Sequence, residues 1–328
     1  MAAEKNKRKK ISELQPQRTH MPIQDPAERI RNFDEVTFGY SQQDALQEAG
    51  RCLVCPRAKC SEACPVSIDI ASFIELVSAG DFRGAWLTIT DANLMPAVCG
   101  RVCPQEDQCE GVCVIGKKLE PVAIGRLERY LGDMAIREGW TAKPDIEPNG
   151  KRVGIVGSGP AGIACAADMA KAGCEVTVFE ALHKPGGVLR YGIPEFRLPD
   201  EVIDAEVENL QNLGVRVQCN TLVGRLFTIE QMVGELGFDA VFIGTGAGTP
   251  RFMNIPGEYL NGVLSANELL TRCNLMKAGD FPGHDTPLGL GRRVAVIGAG
   301  NTAMDALRVS LRLGAEKVMC VYRRTFDE

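Results

Sequence analysis

The stretch RVGIVGSGPAG at residues 152–162 decides the fold of the larger part of this chain. A short apolar run, Arg152–Val156, leads into three glycines spaced as G-x-G-x-x-G, and helix-like sequence follows from Ala161 to Ala172. A second apolar run, Glu175–Phe179, completes a strand–helix–strand unit, the building block of parallel α/β sheets. Such a unit predicts a nucleotide pyrophosphate at the start of the helix, where free N–H groups and the helix dipole attract phosphate.

The three glycines and a following acid have separate expected roles. Gly157 permits the tight turn, Gly159 lets the backbone approach the pyrophosphate, and Gly162 lets the helix pack on the strand. Glu180 ends the second run, 23 residues after Gly157, where a carboxylate can accept hydrogen bonds from ribose hydroxyls. The strand before the glycines, the helix after them and the acid at this distance make the motif far more specific than a lone glycine pattern.

A comparable unit begins about 140 residues later. The apolar run Val294–Ile297 leads into GAGNTA at residues 298–303, with alanine in the third glycine position, and a second run follows at Val318–Tyr322. One strand–helix–strand unit cannot cover both faces of a parallel sheet. We therefore expect the chain ending at Glu328 to be truncated within this second nucleotide domain.

The second unit carries arginines where the first carries an acid. Its last strand runs into Arg323 and Arg324. A guanidinium presents planar, charge-assisted donors that suit a 2′-phosphate, so the pair favours NADP(H) over NAD(H). The alternative is a solvated pair on the surface with no ligand.

Eight of the thirteen cysteines fall between residues 52 and 113. They are arranged as Cys52-x2-Cys55-x4-Cys60-x3-Cys64-Pro65 and Cys99-x3-Cys103-x5-Cys109-x3-Cys113. In iron–sulfur loops that end in Cys-Pro, three thiolates usually hold one cluster and the fourth serves another. The spacing thus assigns the first three cysteines to one cluster and Cys64 to a second. The second motif would supply one ligand to the first cluster and two or more to the second.

Zinc is the alternative for these cysteines. Structural zinc sites prefer paired C-x2-C knuckles, often with histidine. This chain has one such pair, and none of its three histidines lies between residues 52 and 113. We therefore favour two [4Fe–4S] clusters, bound by a small helical domain with helices such as Ile70–Ala79 and Val122–Ile136.

Composition narrows the classes of function. The net charge of −5 argues against a nucleic-acid partner, and no apolar run is long enough to span a membrane. The basic N-terminus, Lys5 to Lys10, lacks the apolar segment of a secretory signal. Clustered thiols without such a signal indicate metal binding rather than disulfides, and a cytoplasmic location.

The sequence predicts an α-helical ferredoxin-like iron–sulfur domain, an α/β Rossmann-type FAD domain, and the start of a second Rossmann-type NADP domain. The expected boundaries are 1–149, with 1–25 a disordered tail, then 150–289 and 290–328. A Pro/Gly/Asn-rich stretch at residues 141–150 is the expected linker.

Taken together, these motifs resemble the NADPH-dependent glutamate synthase small (beta) subunit family, which is related to the N-terminal region of dihydropyrimidine dehydrogenase. The resemblance covers nearly the whole chain from about Pro26. The stretches that carry it are CLVCPRAKCSEACPV (52–66), CGRVCPQEDQCEGVC (99–113), GSGPAG (157–162), PGGVLRYGIPEFRLP (185–199), GTGAGTP (244–250) and GAGNTAMD (298–305).

The resemblance implies particular cluster ligands. The first cluster would be held by Cys52, Cys55, Cys60 and Cys113, and the second by Cys64, Cys103, Cys109 and Glu128. Cys99 would then be a nearby thiol that does not bind iron. From the residues alone, Glu128 would be an exposed helical acid.

The resemblance also implies the nucleotide contacts. The 185–199 segment would lie along the flavin, and GTG at residues 244–246, after a strand at Ala240–Ile243, would close over it; the glycines there could instead be simple turns. The expected FAD contacts are Gly157, Gly159, Pro160, Ala161, Gly162, Glu180, Gly187, Leu189, Gly192, Ile193, Arg197, Thr245 and Gly246. The expected NADP(H) contacts are Gly298, Gly300, Asn301, Thr302, Ala303, Arg323 and Arg324.

The expected function is therefore electron transfer from NADPH through FAD and two [4Fe–4S] clusters to a larger glutamate synthase subunit, which makes glutamate from glutamine and 2-oxoglutarate. No nucleophile or general acid–base pattern is present, so no catalytic residue is assigned. One alternative is a ferredoxin-type electron acceptor, in a ferredoxin–NADP or sulfide-linked flavin oxidoreductase. Another is an electron-relay module that does not turn over by itself.

Overall fold

The computed structural model describes residues 10–141 and 146–325 of the chain. The helices are α1 Pro26–Arg29, α2 Gln42–Ala49, α3 Lys59–Ala63, α4 Ile70–Ala79, α5 Phe82–Ala92, α6 Pro96–Val102, α7 Ile124–Glu138, α8 Pro160–Lys171, α9 Val188–Tyr191, α10 Asp200–Asn212, α11 Ile229–Gly234, α12 Ala266–Asn274 and α13 Asn301–Arg312. The strands are β1 Arg152–Val156, β2 Glu175–Phe179, β3 Arg216–Gln218, β4 Ala240–Ile243, β5 Arg293–Ile297 and β6 Lys317–Val321. Short 3-10 segments lie at Ile11–Glu13, Gln105–Asp107, Val114–Lys117 and Ala278–Asp280.

The described residues divide into two compact units. A helical unit contains the residues up to Ile23 together with 37–141, and an α/β unit contains residues 24–36 and 146–325. The domain boundaries drawn from sequence did not separate residues 24–36 from the helical part. This segment belongs to the α/β unit because its backbone is bound there: Val36 N donates to Phe196 O at 3.0 Å. Within the expected linker, residues 142–145 lie outside the described residues.

The N-terminal segment differs from the expected disordered tail. Residues 1–9, which include most of the basic run, lie outside the described residues, but residues 10–25 are folded. Arg18 N donates to Glu120 Oε2 at 2.8 Å, and Thr19 N donates to Glu48 Oε2 at 2.6 Å. The prediction for residues 10–25 was wrong because these bonds join groups far apart in the sequence, which no local pattern reveals.

The helical unit is built around the apolar faces of α4, α5 and α7. Phe73, Trp86, Leu127 and Leu131 are among the side chains buried in its core. Helix α4 has the predicted bounds: Asp69 caps its first turn, and Gly80 ends it in the left-handed conformation that glycine adopts most easily. Helix α7 begins and ends two residues later than predicted.

Helices α6 and α7 pack at backbone distance. A Cβ atom on Gly100 would lie 2.4 Å from Arg129 N, and one on Gly132 would lie 2.5 Å from Ala97 N. Any larger residue would force the helices apart, so glycine is required at both positions. This close approach brings the cysteines around α6 beside the side chains of α7.

The α/β unit contains two parallel sheets. The first has the order β3-β2-β1-β4, with Val153 opposite both Val176 and Ala240. The second consists of β5 and β6 in parallel register, with Val294 opposite Val318. As the sequence predicted, β1 and β5 each lead into a glycine turn and then a helix. Because all the strands in a sheet are parallel, their carboxyl ends meet at one edge, where ligands of such sheets bind.

No helix in the described ranges is long and apolar enough to cross a membrane.

A buried carboxylate ties three segments of the helical unit together. Glu48 is fully buried, and it accepts hydrogen bonds from Thr19 N at 2.6 Å, Arg51 Nη1 at 2.7 Å and Ala123 N at 2.8 Å. Arg51, 2% exposed, also donates to the carbonyl oxygens of Pro121 and Glu120. The pair is therefore fully hydrogen-bonded, which a buried ion pair needs in order to be tolerated.

Removing this carboxylate should destabilise the helical unit. We expect Glu48→Ala to lower the free energy of unfolding by about 3–5 kcal/mol, because it leaves the Arg51 guanidinium buried without its counter-ion. The change is measured by urea unfolding of the anaerobically purified chain, followed by circular dichroism at about 222 nm, where helices absorb strongly. The control is Glu75→Ala at an exposed position of α4, expected within about 0.5 kcal/mol of the parent. Equal stability of the two variants would contradict this role.

Candidate redox-cofactor sites

Four of the predicted cluster ligands line one cavity in the helical unit. The thiols of Cys52, Cys55, Cys60 and Cys113 meet there. The rest of the lining is mainly apolar and includes Ile70, Ile74, Ile115, Val122 and Ile124. Burial raises the pKa of Cys52 to about 11, with a further contribution from the neighbouring Cys60, Cys113 and Cys55. The structure therefore brings together the set that the resemblance assigned to the first cluster.

The other four predicted ligands form a second group. The pKa of Cys103 is raised to about 11 by burial and then by the charges of Glu128 and Cys64. The pKa of Cys109 is raised by burial and then by Glu110, Glu128 and Cys103. These electrostatic couplings show that the three thiols and the carboxylate are neighbours. Helix α7 supplies the carboxylate, and the loops after α3 and α6 supply the thiols.

Glu128 is a buried acid, not the exposed helical acid that a reading of the residues alone suggests. It is 6% exposed, and burial raises its pKa to about 8. Asn93 Nδ2 donates a hydrogen bond to its Oε1 at 2.9 Å, which opposes that shift in part. A carboxylate is seldom buried without a charged or metal partner, so its position beside two thiols points to metal binding.

Cys99 lies near Asn93. Its Sγ lies 3.8 Å from Asn93 Oδ1, and it does not line the first cavity. Asn93 therefore contacts both Glu128 and this thiol. Sequence reasoning missed Asn93 because it lies outside both cysteine motifs.

The donor set is rich in thiols, the ligands that iron–sulfur clusters take. Among the described residues, no three histidine, cysteine or acidic side chains are arranged to hold one metal ion. Each ligand of a [4Fe–4S] cluster binds a different iron, so its four ligands surround a larger volume than the ligands of one ion do. All thirteen cysteines are free thiols. Bound iron would offset the burial that raises the pKa of Cys52, Cys55, Cys60, Cys103 and Cys109.

The first glycine motif has the backbone geometry that its sequence predicts. Gly157 has φ +100°, and a Cβ there would lie 2.4 Å from Gly244 O. A Cβ on Gly162 would lie 2.0 Å from Gly157 O. A Cβ on Gly159 would make only an ordinary contact, 4.0 Å from Gly187 Cα. Pro160 starts α8, and it is followed by Ala161.

Glu180 is held next to this turn by the protein itself. Its Oε2 accepts hydrogen bonds from the N–H and the hydroxyl of Ser158, and its Oε1 accepts one from Leu182 N at 2.8 Å. A carboxylate has about four lone-pair sites, so acceptor capacity remains for a ribose hydroxyl. The carboxylate thus also fixes the turn, a role that the motif did not indicate.

The 185–199 segment packs against the glycine turn. Gly187 has φ +55°, and a Cβ there would lie 2.6 Å from Gly159 Cα. Leu189 is buried, and Gly192 and Ile193 follow it at partly exposed positions. The buried Arg190 forms ion pairs with Asp200 and Asp204, which fix the segment to α10.

Arg197, another predicted FAD contact, has a protein partner. Its Nη1 donates to Asp305 Oδ2 at 2.5 Å, and Asp305 is 2% exposed on α13. The neighbouring Phe196 ring lies beneath the Arg312 guanidinium at 3.8 Å. Two contacts therefore join the 185–199 segment to the helix of the second glycine motif.

The remaining predicted contacts lie where the strands end. Gly244 N donates to Val156 O at 2.8 Å, which places Thr245 and Gly246 after β4 beside the first turn. In the second motif Gly298 has φ +119°, Gly300 caps the start of α13, and Asn301, Thr302 and Ala303 form its first turn. Gly298 N donates to Val321 O at 2.9 Å, so the end of β6 lies next to that turn. Arg323 and Arg324 follow at exposed positions.

Both parts of the chain match known protein families. Residues 29–140 match a family described as dihydropyrimidine dehydrogenase domain II, 4Fe-4S cluster, and residues 144–326 match pyridine nucleotide-disulphide oxidoreductases. The NADPH-dependent glutamate synthase small chains of Escherichia coli and Halomonas elongata are 37% and 38% identical, covering 89% and 93% of this chain. The Escherichia coli NAD-dependent dihydropyrimidine dehydrogenase subunit PreT is 37% identical over 90% of this chain.

The chain spans about half to two thirds of the length of the curated relatives it matches, with 62%, 65% and 69% of these three covered. Among solved structures, an amine oxidase from Pseudomonas geniculata aligns with a TM-score of 0.43 at 20% identity over 82% of this chain and 35% of its own. That likeness is too low to support an argument.

Substituting Gly162 should weaken FAD binding. We expect Gly162→Ala to reduce FAD affinity about tenfold or more, because overpacking of this kind costs roughly 1–3 kcal/mol and moves α8 from the turn. FAD per chain after gel filtration at graded FAD concentrations measures the loss. The control is Gly234→Ala, where an added Cβ meets nothing within 4 Å. Equal FAD retention in both variants would show that this turn does not bind the flavin.

Proposed function

Because the chain belongs to the pyridine nucleotide-disulphide oxidoreductase family and is a homologue of glutamate synthase small chains, we propose that it transfers electrons between NADPH and a partner subunit. The bound groups would be FAD and two [4Fe–4S] clusters. The resemblance found in the sequence motifs is thereby confirmed at the level of the family. The cofactor set, the NADP(H) preference and the partner belong to the proposal.

The observation that carries the proposal is the sorting of seven cysteines and one glutamate into two groups. One group lines the apolar cavity, and the other couples electrostatically around Glu128. Each group supplies four donors, which is the number a [4Fe–4S] cluster needs. The assignment of individual ligands, Cys52, Cys55, Cys60 and Cys113 against Cys64, Cys103, Cys109 and Glu128, is part of the proposal.

In the α/β unit, the chain's own residues would bind and orient the nucleotides. We assign residues 150–289 to a Rossmann-type FAD domain and residues 290–328 to a Rossmann-type NADP(H) domain. The flavin, when bound, supplies the exchange between two-electron hydride and one-electron chemistry. The N–H groups at the start of α8 and α13 would bind pyrophosphates, and the packed 185–199 segment would hold one wall of the flavin site fixed.

The surroundings of the first group would influence its cluster. The lining of the cavity is mainly apolar, although its four cysteines are partly exposed, and solvent exposure is one of the factors that set a cluster's potential. Glu128 and its hydrogen bond to Asn93 would give the second group a different donor set. The two groups therefore need not share one potential.

The proposed partner is a larger glutamate synthase subunit, in the cytoplasm. The names of the relatives favour a second candidate of the same class, since PreT is described as a subunit of an NAD-dependent dihydropyrimidine dehydrogenase. Mixing the purified chain with either partner subunit and following oxidation of NADPH or NADH would separate the two. Stimulation by one partner and not by the other identifies the acceptor.

Cofactor content tests the proposal directly. We expect the anaerobically purified chain to contain about eight irons, with matching acid-labile sulfide, and one FAD. We expect Cys60→Ser to lose about four irons, because it removes one ligand of the first group, whereas Cys273→Ser in the α/β unit should lose none. Zinc in place of iron would overturn the electron-transfer assignment. Full retention of both clusters in Cys60→Ser would overturn the ligand set of the first group.

The nucleotide preference is expected to depend on Arg323. Replacing it with alanine should raise the KM for NADPH roughly 10–100-fold and leave the KM for NADH nearly unchanged, because a hydrogen bond to a charged group contributes about 1.5–3 kcal/mol. Bleaching of the flavin by each nucleotide, followed at graded concentrations, gives both values. Arg83→Ala, at an exposed position of the helical unit, is the control. Equal effects on both nucleotides would favour a surface arginine without a 2′-phosphate.

A further inference from the structure

The Asn93 side chain connects helix α5 to the buried carboxylate of α7. Asn93 caps the C-terminus of α5 and is 8% exposed. Its Nδ2 lies 2.9 Å from Glu128 Oε1, a normal hydrogen-bond distance between buried groups. It lies outside both cysteine motifs and outside the ligand sets assigned above.

The backbone determines which way this amide faces. Asn93 Oδ1 accepts a hydrogen bond from Met95 N at 3.1 Å, closing a turn two residues ahead. An N–H group can donate only to the oxygen of the amide, so the NH2 group must face Glu128. The Cys99 thiol, 3.8 Å from the same Oδ1, agrees with this assignment as a weak donor.

The fixed amide selects one oxygen of the glutamate. The Asn93 N–H occupies one lone pair of Oε1, so Oε2 has the greater capacity left to bind a metal. The close packing of α6 on α7 through Gly100 and Gly132 keeps the thiol of Cys103 beside this carboxylate. The backbone thus anchors the amide, and the carboxylate and the thiol come from two closely packed helices, α7 and the end of α6.

We propose that Asn93 is a positioning residue for the second cluster, whose N–H group holds the Glu128 carboxylate so that Oε2 binds iron. The inference rests on the proposed function, and in particular on Glu128 as a ligand. Hydrogen-bond partners of metal ligands orient the ligand and change the affinity for metal about 10–100-fold when they are removed. Asn93 would act on the second cluster and leave the first unaffected.

Two substitutions separate this role from that of the turn. Asn93→Ser keeps a side-chain oxygen able to accept from Met95 N but cannot reach Glu128. Asn93→Asp keeps both the shape and the turn acceptor, and replaces the donor to Glu128 with another carboxylate oxygen. Asn274→Ser, at a buried asparagine of the α/β unit that donates to Tyr191 O, is the matched control.

The experiment uses the full chain with its clusters. Electron paramagnetic resonance of the reduced protein distinguishes the two clusters, and release of iron to a chelator measures how firmly each is held. We expect both Asn93 variants to release the iron of the second cluster about 10–100-fold faster and to change its resonance. The first cluster should keep its signal and rate, as should both clusters in Asn274→Ser.

The outcomes distinguish the inference from its premise. If Glu128→Gln alters the second cluster and the Asn93 variants do not, Asn93 is only a turn residue and the inference is overturned. Loss of both clusters in Asn93→Ser also overturns it, because the role is then general to the fold. If Glu128→Gln leaves both signals unchanged, the ligand assignment fails, and absence of iron from the parent chain defeats the proposed function itself.

Discussion

The buried carboxylate of Glu48 is the interaction on which the helical unit depends. It binds Thr19, Arg51 and Ala123 by hydrogen bonds of 2.6 to 2.8 Å. Arg51 immediately precedes the first cysteine of one group, and Ala123 immediately precedes α7, which carries the glutamate of the other. One carboxylate therefore fixes the starting points of segments that belong to both candidate cluster sites. Loss of any one partner would destabilise the unit, because it leaves a buried charge incompletely compensated.

Much of the architecture could be predicted because it is locally encoded. The apolar runs Arg152–Val156 and Glu175–Phe179 are strands with those bounds, and the glycines between them adopt the expected turn. In the second strand–helix–strand unit, the last strand ends one residue earlier than predicted, at Val321 instead of Tyr322. These elements depend on side-chain periodicity and on conformations open mainly to glycine, both of which are visible in a single sequence.

What the sequence did not reveal depends on partners distant along the chain. Residues 10–25 are folded by bonds to Glu48 and Glu120, and Asn93 owes its importance to a glutamate 35 residues away. The proposed contacts Glu180 and Arg197 already have protein partners, Ser158 and Asp305. No spacing rule describes such pairs, since the fold alone brings them together. The ligand sets came from family resemblance and are part of the proposal; no local pattern in the sequence would have assigned them.

The position of residues 24–36 has a consequence for the order in which the protein matures on the ribosome. Val36 bonds to Phe196, and Asn32 O accepts from Arg312 Nε, 280 residues later in the chain. The helical unit is complete once residue 141 has emerged, and domains generally fold as they are synthesised. Residues 24–36 therefore lack these partners until Phe196 and then Arg312 have been synthesised. The helical unit can fold first, with residues 24–36 as a loop that the α/β unit binds later.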